Sequence, residues 1–338
     1  MKKAYIKALT YYLPEPVLSN EDLVKEFPEW TAEKVAKKIG VSIRHIAGEN
    51  ETSADMAVKA GFKLFNECNV NANDIDFVIL CTQSPDYFLP TSACIVQHAL
   101  GIPTKSGAFD FNLGCSGFVY GLAVAKGLIA GNIAKNILLL TAETYSKYIH
   151  PKDKANRTIF GDAASATLIS ETGFAEILNF SLGTDGSGAD RLIVKSGGLR
   201  HRDKKNDLTF DDSGNPLSSD FLFMDGSSIF NFTLEMVPEL VKNTLNENEV
   251  RMEQIDQFIF HQANKHMLSF LRMKIQIPEE KFYQYLNLTG NTVSSTIPIA
   301  IYEALRDKTL HSSQKVLLAG FGVGYSWGGT ILHIVEQQ

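Results

Sequence analysis

The sequence predicts an α/β protein of two similar halves, residues 1–172 and 173–338, each a mixed sheet with helices packed on it. An internal echo is the first observation behind this. Asn73-Asp74-Ile75-Asp76-Phe77-Val78-Ile79-Leu80 returns as Glu253-Gln254-Ile255-Asp256-Gln257-Phe258-Ile259-Phe260, and each copy follows a helix-patterned stretch, 54–67 and 229–245. A second pair, 135–140 and 315–318, repeats at the same offset of about 180 residues. The third observation is the continuous apolar run at 137–140, which fits a strand buried on both faces. Two such halves, joined near 172–180, place a shared crevice at their pseudo-twofold axis, where sites usually form.

The elements follow in order. Met1-Lys2-Lys3-Ala4-Tyr5-Ile6 lacks the apolar core of a signal peptide and reads as a first strand. Residues 54–67 read as an amphipathic helix and 77–80 as a strand. The alternating run Ala108-Phe109-Asp110-Phe111 is a further strand, and 118–130, apolar on every side, is a buried helix. Residues 137–140 and 166–170 complete the first half. In the second, 229–245 is a helix, 257–260 and 282–288 are strands, and 293–305 is a helix before strands at 315–318 and 330–335. The polar stretch 196–220, with Arg200-His201-Arg202-Asp203-Lys204-Lys205 and Asp211-Asp212-Ser213-Gly214-Asn215-Pro216, has no period and reads as an exposed excursion.

Bulk properties exclude several classes. A net charge of -6 argues against nucleic acid as a partner. No apolar stretch approaches the roughly 20 residues that cross a bilayer, so no membrane insertion is expected. Four cysteines without CxxC spacing suggest neither a metal site nor a disulfide framework, and a reducing cytoplasm follows as the expected location.

Chemistry concentrates at Cys115, in Leu113-Gly114-Cys115-Ser116-Gly117-Phe118. A thiol between a strand and a helix N-terminus meets unpaired N–H groups and the positive end of the dipole, which favour a thiolate. Cys68, Cys81 and Cys94 have no such setting and read as small apolar fillers. His261 ends the strand 257–260 and enters a helix as Cys115 does, although a hydrogen-bonded structural imidazole fits the same pattern. Asn291, in Gly290-Asn291-Thr292, holds the corresponding place in its half, where the bland reading is a turn. The glycines in Gly320-Phe321-Gly322-Val323-Gly324-Tyr325-Ser326-Trp327-Gly328-Gly329 precede a strand rather than a helix, so a tight loop aiming N–H groups at an oxyanion fits better than a dinucleotide site. Asp162, in Phe160-Gly161-Asp162, reads as a turn and cap residue.

Together, Gly114-Cys115-Ser116-Gly117-Phe118, Phe160-Gly161-Asp162-Ala163-Ala164, His261-Gln262-Ala263-Asn264, Gly290-Asn291-Thr292 and Gly322-Val323-Gly324-Tyr325-Ser326-Trp327-Gly328 resemble the β-ketoacyl-ACP synthase III family of the thiolase superfamily, over essentially the whole chain. The resemblance implies a thiolase-like fold with a five-layered αβαβα core, a homodimer, and a catalytic triad of Cys115, His261 and Asn291. It implies an oxyanion hole from the N–H groups of Cys115 and of Val323 or a neighbouring glycine. It also implies a pocket bordered by Leu89, Phe160, Met224, Gly322 and Gly324, with Leu89 reaching toward the partner subunit. No cofactor and no metal is implied.

The implied reaction is a decarboxylative Claisen condensation of an acyl thioester primer, on CoA or acyl carrier protein, with malonyl-ACP through acyl-Cys115. The alternatives are a relative that moves the acyl group to another nucleophile, and a catalytically silent dimeric scaffold. Lys265, Arg272 and Lys274 on the helix after His261 are the expected docking patch for an acidic carrier protein. The family stacks the CoA adenine between Trp and Arg. Here Trp30 lies several residues early, and Lys154 stands at the second position.

Overall fold

The computed structural model describes residues 2–212 and 214–335. Ten strands form one hydrogen-bonded sheet: β1 (Tyr5–Tyr12), β2 (Phe77–Cys81), β3 (Gly107–Phe111), β4 (Asn136–Glu143), β5 (Ala163–Ser170), β6 (Ala175–Thr184), β7 (Gln257–Phe260), β8 (Phe282–Tyr283), β9 (Lys315–Gly322) and β10 (Ser326–Ile334). Their lateral order is β8-β7-β9-β10-β6-β1-β5-β4-β2-β3. Outward from the middle this reads β1-β5-β4-β2-β3 on one side and β6-β10-β9-β7-β8 on the other, the same path taken twice. Only Tyr5↔Glu176 and Ile6↔Ala175 pair β1 with β6, so the two five-stranded units meet at one narrow antiparallel seam.

Alternation along the strands explains five layers. Ile79, Ile137, Leu139, Ile259, Val316 and Leu318 face a central core that also holds Phe118, Leu122, Ile129, Ile297 and Ile301. Helices Gly117–Ala130 and Thr296–Arg306 are therefore packed between the two half-sheets. Val78, Leu80, Leu138 and Leu140 turn the other way, onto helix Ser53–Glu67. Phe258, Phe260, Leu317 and Ala319 do the same in the second half, against helices Gly226–Glu247 and Lys265–Ile275. Both helices of the central layer are apolar almost all round because both faces are covered, and each fully buried Leu, Ile or Phe contributes about 1.5–3 kcal/mol.

Several boundaries differ from the periodicity. The first strand runs over Tyr5–Tyr12 rather than opening the chain. The expected strand 282–288 pairs only over Phe282–Tyr283, before the turn that presents Asn291. The glycine-rich 320–329 stretch is mostly strand, because Gly320 and Gly322 belong to β9 and Gly328 and Gly329 to β10. Those glycines serve close packing: a Cβ on Gly320 would stand 2.8 Å from the Cys115 carbonyl oxygen. Cys68 and Cys94 are exposed, so only Cys81 of the three expected fillers is buried. The 196–220 excursion is held by turn chemistry. Asp220 accepts from the N–H groups of Lys205 and Asn206, and Asp207 from Ser219 N–H and the Ser218 hydroxyl.

Candidate active site

One cavity of about 660 Å³ is lined by Cys115, His261 and Asn291 together, with Phe160, Met224 and Gly322 in its wall. A larger groove of about 1020 Å³, among Cys68, Tyr302 and His311, holds none of the three, so size alone does not locate the chemistry.

Cys115 lies in the tight turn after β3, where Gly117 N–H donates to the Gly114 carbonyl at 2.8 Å. Gly322 is obligatory opposite it, since a Cβ there would stand 2.9 Å from Cys115 Sγ. The helix end does not yield the expected thiolate. Burial, reinforced by the nearby Glu143 carboxyl, pushes the thiol up to about 12. The N–H groups of Val323 and of Cys115 itself oppose that shift, which places both at the sulfur. Desolvation outweighs the helix end because Cys115 is only 7% exposed, so a thiolate there would lose most of its hydration.

His261 directly follows β7 and is buried, which drives its pKa down to about 3, so the ring is neutral. Its Nδ1 stands 2.8 Å from Thr296 Oγ1, and Phe321 packs edge-on against the ring at 5.7 Å. Asn291 Nδ2 lies 3.5 Å from His261 Nε2. Its orientation follows from Val293 N–H, which donates to Asn291 Oδ1 at 2.9 Å and leaves the amide's donor end toward the ring. Val293 adopts φ +55°, a left-handed conformation costly for a β-branched residue and of the kind stored at functional sites.

The Asn291 backbone is clamped from the first half. Asn291 N–H donates to the Ile159 carbonyl at 2.8 Å and Gly161 N–H to the Asn291 carbonyl at 3.1 Å. Gly290, at φ +68°, turns the chain into that bridge. Beneath lies the fully buried Arg44, whose guanidinium donates to the Thr158 carbonyl at 2.6 and 3.1 Å and to Asn20 Oδ1 at 2.6 Å. Asp162 accepts from the N–H groups of Ala47 and Ser146 and from the Ser146 hydroxyl, a structural role.

Other expected residues divide. Val323 borders a second cavity of about 860 Å³, with Tyr87, Phe88, Tyr145, Leu222 and Leu192. Leu192 lines both cavities. Leu89 lies outside both, 84% exposed beside Tyr87 and Phe88. Gly324 also lines neither; it sits in the turn between β9 and β10. Lys265 and Lys274 are exposed. Arg272 instead donates to the Ile277 carbonyl and pairs with Glu279 at 3.4 Å, so it is tied to its own segment. Lys154 pairs with Glu29.

Three further features around the site carry no assigned role in the sequence reading. Glu143, fully buried at the end of β4, accepts from Gln83 N–H and from the Ser84 and Ser294 hydroxyls, and burial raises it to about 8. A carboxylate closing an otherwise apolar strand was its available signal. Thr296 is indistinguishable in sequence from any helix threonine. Lys34, Lys37 and Lys38 form an exposed row on helix Ala32–Ile39, which packs against helix Lys265–Ile275, and Lys38 borders the cavity.

Family models for 3-oxoacyl-[acyl-carrier-protein] synthase III match residues 109–186, and for its C-terminal part residues 245–334. A β-ketoacyl-[acyl-carrier-protein] synthase III of Clostridium perfringens is 34% identical over 99% of this chain and all of that protein. Another, of Campylobacter fetus, is 34% identical over 98% of both. Among solved structures, a 3-oxoacyl-(acyl-carrier-protein) synthase III is 47% identical with a TM-score of 0.95, covering 98% of this chain and all of that one. A 3-oxoacyl-(acyl-carrier protein) synthase of Burkholderia xenovorans is 36% identical with a TM-score of 0.90, over 98% and 94%.

Proposed function

Because this chain belongs to the 3-oxoacyl-[acyl-carrier-protein] synthase III family, we propose that it condenses an acyl thioester primer with malonyl-ACP through an acyl-Cys115 intermediate. The observation that carries this reading is the convergence of Cys115, His261 and Asn291 on one cavity, with two N–H groups at the sulfur. Residues 1–172 supply the nucleophile, and 173–338 the imidazole and carboxamide.

A thiol this reluctant to ionise needs a base at the moment of attack, and neutral His261 offers a lone pair at Nε2. The thiol proton passes to Nε2 and then to the departing thiolate, leaving the acyl group on Cys115. The N–H groups of Cys115 and Val323 hold the tetrahedral oxyanion. Malonyl-ACP then loses CO₂, and the electron pair of the broken C–C bond becomes an enolate. Asn291 Nδ2 and His261 Nε2, both as donors, hold its oxygen. The enolate carbon attacks the acyl carbonyl, the C–S bond breaks, and the released thiolate regains a proton from solvent. Asn291 cannot serve as a base, and decarboxylation removes the need for one.

The acyl chain extends from Cys115 past Leu192 into the second cavity. The exposed Tyr87-Phe88-Leu89 tip supports a homodimer in which Leu89 approaches the partner's cavity. Docking falls to Lys265 and Lys274, joined by Lys34, Lys37 and Lys38, a cationic rim suited to an acidic carrier protein. Lys154 is tied to Glu29, and the neighbouring Arg157 to Glu26, both over the Phe27 ring, so neither cation is free to stack an adenine, which supports a carrier-bound primer. We assign a cytoplasmic location from the family reading; no helix among the described residues is long and apolar enough to cross a membrane.

The test is intact-protein mass spectrometry of wild type and Cys115→Ser against a panel of acyl-CoAs and acyl carrier proteins, followed by malonyl-ACP with measurement of CO₂. Acylation of wild type alone, then CO₂ and a 3-oxoacyl product, is expected. Acylation without CO₂ would point to simple transfer, and no acylation would remove the reading.

A further inference from the structure

The reading above, on which this inference rests, asks two opposite things of one nitrogen. His261 Nε2 must be bare to take the Cys115 proton, yet carry a proton to hold the enolate oxygen. Burial pushes the imidazole down to about 3, which disfavours meeting both demands with a long-lived imidazolium. What stands at the other nitrogen therefore matters.

That group is the Thr296 hydroxyl, 2.8 Å from Nδ1 and 3.0 Å from the Val293 carbonyl oxygen. Both side chains are about 2% exposed, so water does not replace either contact. A hydroxyl both donates and accepts, whereas the Val293 carbonyl only accepts. With Thr296 O–H donated to Val293, Oγ1 receives Nδ1–H and Nε2 is bare. With O–H rotated onto Nδ1, Nδ1 is the acceptor and Nε2 carries the proton. Each tautomer is then satisfied inside a site where an unsatisfied polar group is costly. Asn291 adds no bias of comparable strength, since its amide stands 3.5 Å from Nε2.

We propose that Thr296 is a positioning residue that lets His261 exchange tautomers between the two half-reactions, with Nδ1–H for acylation and Nε2–H for decarboxylation. One proton arrives at Nε2 from water in the cavity, and the Nδ1 proton leaves to the same water when the closed Thr296 contact opens transiently, while the first thiol departs. The ring ends as neutral as it began, and no redox partner is needed.

The experiment compares wild type, Thr296→Val and Thr296→Ser in separated half-reactions: Cys115 acylation by intact mass, and CO₂ release from malonyl-ACP by the preformed acyl-enzyme. In the Val variant, the imidazole N–H keeps its other contact, the hydrogen bond of the ring to the Val293 backbone, so acylation stays within about threefold of wild type. The Nε2–H tautomer loses its partner at Nδ1, and CO₂ release falls about tenfold or more, as for a buried acceptor left unpaired. Thr296→Ser restores it. Nitrogen chemical shifts of ¹⁵N-labelled His261 read the tautomer directly: both forms in the Ser variant, Nδ1–H alone in the Val variant. Equal slowing of both steps, or no slowing of either, overturns the proposal, and equal melting temperatures confirm that packing is intact. Wild type that fails to acylate, or to release CO₂, would instead defeat the broader functional reading.

Discussion

The two halves share a strand order but not a chemistry. Cys115 follows β3 and enters helix Gly117–Ala130, while Asn291 follows β8 and precedes helix Thr296–Arg306. At the repeat spacing, Cys81 corresponds to His261, and Glu143 at the end of β4 to Val323 just past β9. On the proposed reading, one half presents a nucleophile with a buried acid behind it, and the other a neutral base, an amide and an oxyanion N–H. The duplicated scaffold fixes where side chains can meet, and the residues placed there decide what happens.

Breaking each half in turn should give different lesions. Cys115→Ala removes the nucleophile, so acylation and condensation should both fall below detection in mass and CO₂ assays. Asn291→Ala should leave acylation of Cys115 close to wild type yet slow decarboxylation about 10²–10³-fold, the usual loss for one oxyanion donor. Equal loss of both steps would mean that the amide supports the fold rather than the enolate.

Glu143 gives a smaller, pH-dependent effect. Its folded pKa, raised to about 8 from an ordinary 4.5, lies above the unfolded value, so the native state binds the extra proton between those limits. The stability tied to that proton is complete below about pH 4.5 and is lost as pH rises through 8. Glu143→Gln should therefore flatten the fall in melting temperature between pH 5 and 8. It should also lower the Cys115 thiol pKa, because Glu143 is one of the groups holding it up. Iodoacetamide alkylation as a function of pH checks this, and an unmoved profile would remove the electrostatic link.

Much of this was legible beforehand, for identifiable reasons. The echo at Asp76-Phe77-Val78-Ile79 and Asp256-Gln257-Phe258-Ile259 disclosed the duplication because buried strands leave continuous apolar runs. Cys115 stood out at its strand-to-helix junction, whereas His261 and Asn291 took their expected roles only from the family resemblance; the structure brings all three to one cavity. The thiol's protonation state did not, since a motif shows the helix end but not the depth of burial opposing it. Glu143 and Thr296 act through contacts with residues far away in the chain, Ser294 and His261, which no local pattern contains. Arg272 looked like a free cation because its partner, Glu279, lies beyond the helix that carries it.

The weakest expected effect bears on how the halves share a partner. Lys34, Lys37 and Lys38 come from the first half, Lys265 and Lys274 from the second, and their helices are in contact. Reversing either set to Glu should raise KM for carrier-bound malonate several-fold, steeply reduced by added salt, while kcat and acylation from a pantetheine thioester stay unchanged. If the carrier spans both helices, the two sets should add as free energies, because the charges act on one encounter without sharing a local bond. Should only the second-half reversal raise KM, docking would belong to helix Lys265–Ile275 alone, and the lysines of helix Ala32–Ile39 would be an ordinary solvated face.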